Sequence, residues 1–205
     1  MRKPVVLTLT IVVGVFAVTA ALTLVAQRDG LAQQNSLAQQ NMVRGSMAQG
    51  NMEQQDRSML KVPGGLAFSE FKGYEGWQDI AVSETKTSVK AILGNAAMIK
   101  AYKEGIPENG KAFPEGAKAV KIEWLKKQNP VSPYFVEIPD TLASLSFAEK
   151  DLKRFPKTHG WAFAKFTYDN GTKTLKPSVT GFECGYACHT KVAARDYIFS
   201  AYPVR

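Results

Sequence analysis

Ala117-Lys118-Ala119-Val120-Lys121-Ile122-Glu123-Trp124-Leu125-Lys126 is the stretch that decides the fold. Successive side chains of a β-strand point to opposite faces, so Val120, Ile122 and Trp124 share one face. Ala119, Lys121, Glu123 and Leu125 share the other. Working outward, strands are expected at 77–82 and 88–93 before it, and at 134–138 and 161–168 after it. Asp169-Asn170-Gly171 reads as a turn. Helices are few. Asn95 caps one that runs through Tyr102 and ends at Gly105. Ser146 opens another, with Glu149 three residues on as in a capping box, and it ends near Phe155-Pro156. Residues 103–116, with Pro107, Gly110 and Pro114, read as loop. The pattern predicts a mainly β, α+β domain over residues 62–205, an antiparallel sheet with a few helices.

The rest of the chain is of a different kind. Met1-Arg2-Lys3 precedes a run without charge from Pro4 to Ala26. As a helix, that run is long enough to cross about 30 Å of hydrocarbon. Val18-Thr19-Ala20 also satisfies the small-residue rule of a cleavage site. Residues 1–26 are therefore a signal peptide or a transmembrane anchor. Either places the remainder outside the cytoplasm, in the periplasm, anchored or secreted after cleavage; the basic start agrees with the positive-inside rule. Residues 27–60 form a Gln/Met/Asn-rich linker in which Leu31-Ala32-Gln33-Gln34-Asn35 repeats as Leu37-Ala38-Gln39-Gln40-Asn41. It holds no aromatic residue, so it is expected to be a flexible spacer. Leu31 and Leu37 are six residues apart, which fits no helical stripe.

Composition excludes several classes. With 45% hydrophobic and 21% charged residues among 205, the chain is neither wholly disordered nor collagen-like. Its net charge of +8 comes from scattered lysines and arginines, and no nucleic-acid motif accompanies it. No phosphate-binding glycine loop and no catalytic-triad spacing is present.

The chemistry lies at Cys184-Gly185-Tyr186-Ala187-Cys188-His189. Two thiols followed at once by a histidine follow the logic of haem c attachment: the thiols fix the porphyrin and the imidazole reaches the iron. Three residues separate the cysteines instead of two, and a local bulge at Gly185 is expected to absorb the extra one. A Cys184–Cys188 disulfide in a haem-free exported β domain is an alternative. A thiol redox pair is another. Structural zinc would need further ligands, and His159 is the only other His or Cys. Met98, mid-helix, reads as core, and His159 as a surface residue.

Several passages, in order, carry a resemblance. Val89-Lys90-Ala91-Ile92-Leu93-Gly94-Asn95 leads to Ala101-Tyr102-Lys103. Phe113-Pro114-Glu115-Gly116 precedes Val120-Lys121-Ile122-Glu123-Trp124. Lys150-Asp151 and Arg154-Phe155 precede Gly160-Trp161-Ala162-Phe163. Cys188-His189 is followed by Asp196-Tyr197-Ile198-Phe199 and Tyr202-Pro203-Val204. From about Phe71 onward the chain resembles the cytochrome P460 family, which includes the cytochromes c′-β. The resemblance implies one covalently attached haem c held by Cys184 and Cys188, with His189 as the iron ligand and the opposite position open. It implies that Lys121 faces the porphyrin, where P460 proteins carry a cross-linked lysine; the residues alone would read Lys121 as a solvated strand lysine. Lys90 stands where the family has a distal arginine, and Ser146, with Phe147 beside it, where it has a distal carboxylate. Glu123 or Glu149 would replace Ser146 in a shifted register, and Phe147 or Phe135 would suit an apolar cap. The implied function is hydroxylamine oxidation with electrons passed to a c-type cytochrome. The alternative is nitric oxide capture without turnover, and a homodimer is expected by the same resemblance.

Overall fold

In the computed structural model, residues 31–47 and 57–204 are described. The first 30 residues, on which the signal or anchor reading falls, lie outside them. Among the described residues no helix is long and apolar enough to cross a membrane. The chain divides into two units at Gln54/Gln55.

In the first unit, residues 31–47 form a helix, α1, exposed along its whole length. This corrects the flexible-spacer expectation. That expectation weighed only buried apolar surface, whereas Leu, Ala, Gln, Met and Arg are strong helix formers without any burial.

The second unit is built on one six-stranded antiparallel sheet in which each strand pairs with its neighbours in sequence. The strands are β1 (Gln78–Glu84), β2 (Ser88–Gly94), β3 (Lys118–Gln128), β4 (Glu137–Lys150), β5 (Trp161–Asp169) and β6 (Thr174–Pro177). Helix α2 (Ala96–Lys103) joins β2 to β3, and α3 (Phe182–His189) follows β6. The Asn95 cap holds, its side-chain oxygen accepting from the Met98 N–H at 3.0 Å. At the β5–β6 turn the Asp169 carboxylate accepts from the N–H groups of Gly171 and Thr172.

The expected helix from Ser146 is instead the second half of β4. Ser144 to Lys150 pair with β5, and Lys118 to Glu123 of β3 pair with Glu149 to Ser144. A strand held on both edges has every backbone group satisfied, and that overrides a local capping signal. The strand expected at 134–138 begins only at Glu137, and Phe135 is 78% exposed in the β3–β4 loop.

The sheet separates two cores. Leu145, Phe147, Ala162, Ala164 and Phe166 face one, against Leu66, Phe68, Phe71 and Tyr74. Ile92, Ala119, Ala148, Trp161 and Phe163 face the other, against α2, Tyr197 and Ile198. Glu70 ties the first core's covering segment down. It accepts from the Ala67 N–H at 2.7 Å and pairs with Arg154 at 2.5 Å. Burial alone would raise the Glu70 carboxyl, but the bonds from Arg154 and Ala67 outweigh it and lower its pKa from 4.5. A lowered folded-state pKa gives stability that is present above the unfolded value and lost as pH falls through the folded one. Glu70→Gln is therefore expected to destabilise the domain at neutral pH and to flatten its loss of stability below about pH 4.5, in urea titrations run across that range.

Candidate functional site

Parity along the strands brings the polar residues of the second face together. Lys121 pairs with Ile92 of β2 and with Ser146 of β4, and Ser146 pairs with Lys165 of β5. One register step away, Lys90 pairs with Glu123 and Glu123 with Ser144. The Glu123 carboxylate accepts from the hydroxyls of Ser88 (2.8 Å) and Ser144 (3.2 Å), and Lys90 Nζ lies 3.6 Å from it. Burial would raise this carboxyl, but those two hydrogen bonds and the Lys90 charge prevail and hold it below the usual carboxylate range. Burial pushes the Lys121 amine below an ordinary lysine, aided by the charges of Lys90 and Lys165 and opposed by Glu123. A half-buried lysine of this kind is a better nucleophile than a solvated one, because more of it is neutral.

Lys121 and Ser146 form one wall of a cavity of about 140 Å³. His189, Phe163, Ile198 and Phe199 close it from the side of α3, and Ile80, Ile92 and Met98 supply apolar walls. At about 30 Å³ per water this is a compartment for a small molecule.

Helix α3 carries His189 to the cavity. Gly185 and His189 are four residues apart and share a stripe, and both meet Phe163 of β5. A Cβ at Gly185 would fall 2.5 Å from Phe163 Cβ, and the His189 ring centroid lies 4.0 Å from that of Phe163. Cys184 and Cys188 form the adjacent stripe, both free and both exposed. The three-residue spacing thus needs no bulge: on a helix it places the two thiols one above the other, about 6 Å apart along the axis. Gly185 serves close packing instead.

His189 Nδ1 lies 2.5 Å from the carbonyl oxygen of Tyr197. A carbonyl only accepts, so Nδ1 carries the proton and Nε2 keeps its lone pair for a metal. Burial pushes the imidazole pKa down, as does the Lys121 charge, against the Tyr197 bond. A neutral imidazole of fixed tautomer beside two free thiols is the donor set that haem c requires. Among the described residues, no three His, Cys, Asp or Glu side chains gather as a metal cluster of their own.

Other expected residues fall elsewhere. Phe147 is adjacent to Ser146 in sequence and therefore on the opposite face. Although its residue borders the cavity, its ring is 1% exposed in the first core and stacks on Phe71 at 4.3 Å. It is not an apolar cap for the cavity. Glu149 also faces the first core, 3.1 Å from Lys118. Met98 is fully buried in the second core. His159 is exposed, but its Nδ1 lies 2.8 Å from the Tyr186 hydroxyl and 2.9 Å from that of Tyr197. The Tyr197 carbonyl and Phe163 escaped the sequence reading. Phe163 was legible by parity, since it pairs with Ala148 on the Lys121 face. A carbonyl's direction has no sequence signal.

Fold and site together define a small sheet protein that offers one imidazole and two thiols to a single haem. The sequence profile of cytochrome P460 matches residues 71–200, and the chain belongs to that family. It is a haem c protein of that family. No curated protein matches the chain.

Proposed function

We propose that the chain is an extracytoplasmic monohaem c protein that oxidises hydroxylamine and passes the electrons to a c-type cytochrome. The observation that carries this reading is the cavity with Lys121 and His189 on its walls. Cys184 and Cys188 would hold the haem and His189 would ligate its iron. The haem would supply an iron that binds a small ligand and takes up single electrons.

The surrounding residues account for the rest. The cavity's volume suits a molecule of a few heavy atoms, and most of its lining is apolar. Lys121, on the cavity wall with its pKa lowered by burial, is the residue that would face the porphyrin where P460 enzymes carry their cross-linked lysine. Ser146, which lines the cavity, cannot act as a general base, and Glu123, held by Ser88, Ser144 and Lys90, is the nearest carboxylate on that face, one register step from Lys121 and outside the cavity lining. Lys90 takes the place of the family's arginine as its cation. The N-terminal segment would deliver or tether the domain at the periplasmic side of a membrane, and two copies would associate as a homodimer. A second reading, nitric oxide capture without turnover, is favoured by Ile80, Ile92, Phe163 and Phe199 around the cavity, since a neutral diatomic needs no proton transfer.

The two readings part at Lys121. In haem c-loaded protein, hydroxylamine is expected to reduce an added c-type cytochrome, and the ferrous Soret band to be strongly red-shifted. Lys121→Leu is expected to return the band to that of an ordinary high-spin haem c and to lower turnover at least about a hundredfold, within the range for a proton-transfer or electrostatic group. An ordinary spectrum in the parent protein, with no hydroxylamine-dependent reduction, would leave gas capture.

A further inference from the structure

Asp196 and Tyr197 are consecutive residues in the left-handed region, with φ of 45° and 64°. Residues other than glycine enter that region singly and seldom. Two in succession persist only where the surroundings over-determine them. Two independent anchors do so here. Lys150, buried at the end of β4, donates to both carboxylate oxygens of Asp196 at 2.8 and 2.9 Å, and the Phe113 N–H donates to Oδ2 at 2.8 Å. The Tyr197 ring packs against those of His159 and Tyr186, each at 5.1 Å, with the two hydroxyls converging on His159 Nδ1. Tyr186 is the middle one of the three residues between the cysteines. Neither anchor belongs to the Lys121 cluster.

The outcome of this arrangement is the position of one atom, the Tyr197 carbonyl oxygen against His189 Nδ1. We propose that Lys150, Asp196, His159 and Tyr186 are positioning residues for the iron ligand: they hold that carbonyl in place and so set how much electron density the imidazole donates. The inference rests on the reading of His189 as the ligand. A hydrogen bond accepted from Nδ1–H makes the imidazole more basic. A more basic ligand favours the ferric over the ferrous state. Loosening either anchor therefore raises the reduction potential and weakens the iron–imidazole bond.

Two variants of the full-length haem-loaded protein test this, one for each anchor. Asp196→Asn keeps the size of the side chain and its tolerance of the left-handed region, but loses the charge pairing. His159→Leu removes, at an exposed position, the ring nitrogen on which the two hydroxyls converge, leaving them only each other. The readouts are the midpoint potential and the ferrous iron–histidine stretching band in resonance Raman spectra. Each variant is expected to shift the ferrous-to-ferric ratio at fixed potential by about tenfold toward ferrous, which is about 59 mV for one electron, and to lower the stretching frequency. Tyr197→Phe, which keeps the ring and loses the hydroxyl, is expected to shift both in the same direction by less. A lost charge near the iron would move the potential alone, so a potential shift with an unmoved stretching band overturns the proposal. Unchanged values in His159→Leu and Tyr197→Phe also overturn it, and these two decide the matter if Asp196→Asn fails to accumulate with haem. A stretching band that survives in His189→Ala would overturn the ligand reading itself, an outcome distinct from an unmoved band in the anchor variants.

Discussion

Phe147→Ala is expected to cost the domain about 3–5 kcal/mol, the range for deleting a buried aromatic ring, and to leave the haem spectrum unchanged. The ring meets Phe71 at 4.3 Å, Phe68 and Tyr74 at 5.4 Å and Phe166 at 5.8 Å. These neighbours come from the segment ahead of β1 and from β5, so a hole there loosens the cover of the sheet's first face. Collapse can recover only part of the loss, because Leu145 and Val120 beside it are already fully buried. Urea unfolding read by tryptophan fluorescence, set beside the ferric and ferrous spectra, checks both halves. A shifted Soret band with little loss of stability would return Phe147 to the cavity.

Gly185→Ala is expected to destabilise the protein and to lower haem incorporation, against the usual direction for that substitution within a helix. Helix propensity favours alanine over glycine by about 1 kcal/mol. The added Cβ would sit 2.5 Å from Phe163 Cβ and 3.2 Å from its Cγ. Those atoms are close to the β5 backbone and cannot swing aside. Overpacking of this kind costs about 1–3 kcal/mol, so the clash outweighs the propensity gain. It acts on the stripe that carries His189, so the ratio of Soret to 280 nm absorbance falls along with the melting temperature. The double variant Gly185→Ala/Phe163→Gly removes the Phe163 Cβ and so has room for the methyl, and its loss is expected to be less than the sum of the two single losses. A melting temperature raised by Gly185→Ala alone would sink this account of the helix–sheet contact.

The sheet was legible wherever one face differed from the other. β3 alternates in plain view, and its parity placed Lys121 and Glu123 on the site's face before any coordinates. β4 hid itself because both of its faces are covered. Ser144, Ser146 and Ala148 on one side and Leu145, Phe147 and Glu149 on the other do not form a polar–apolar alternation, and Ser146 with Glu149 mimics a helix start. Ser146 and Phe147 show where resemblance fails: they are adjacent in sequence, but strand geometry sends them to opposite faces of the sheet. Helix α3, with Gly181 and Gly185 and only eight residues, carries a weak propensity signal. The four-residue step between its cysteines was the better clue, being the step of a helical stripe. The carbonyl that holds His189 depends on backbone angles at Asp196 and Tyr197, which neither residue type announces.

Each strand of the sheet pairs with its neighbour in sequence, while the elements that complete the cavity, α3 and the segment through Ser200, come last in the chain. Short-range pairing of this kind forms early and quickly. During synthesis, both thiols therefore emerge after all six strands of the platform on which their helix packs. Attachment of a haem through these thiols would be the closing event of assembly, and a chain truncated just before Cys184 would keep all six strands but lack both thiols and His189.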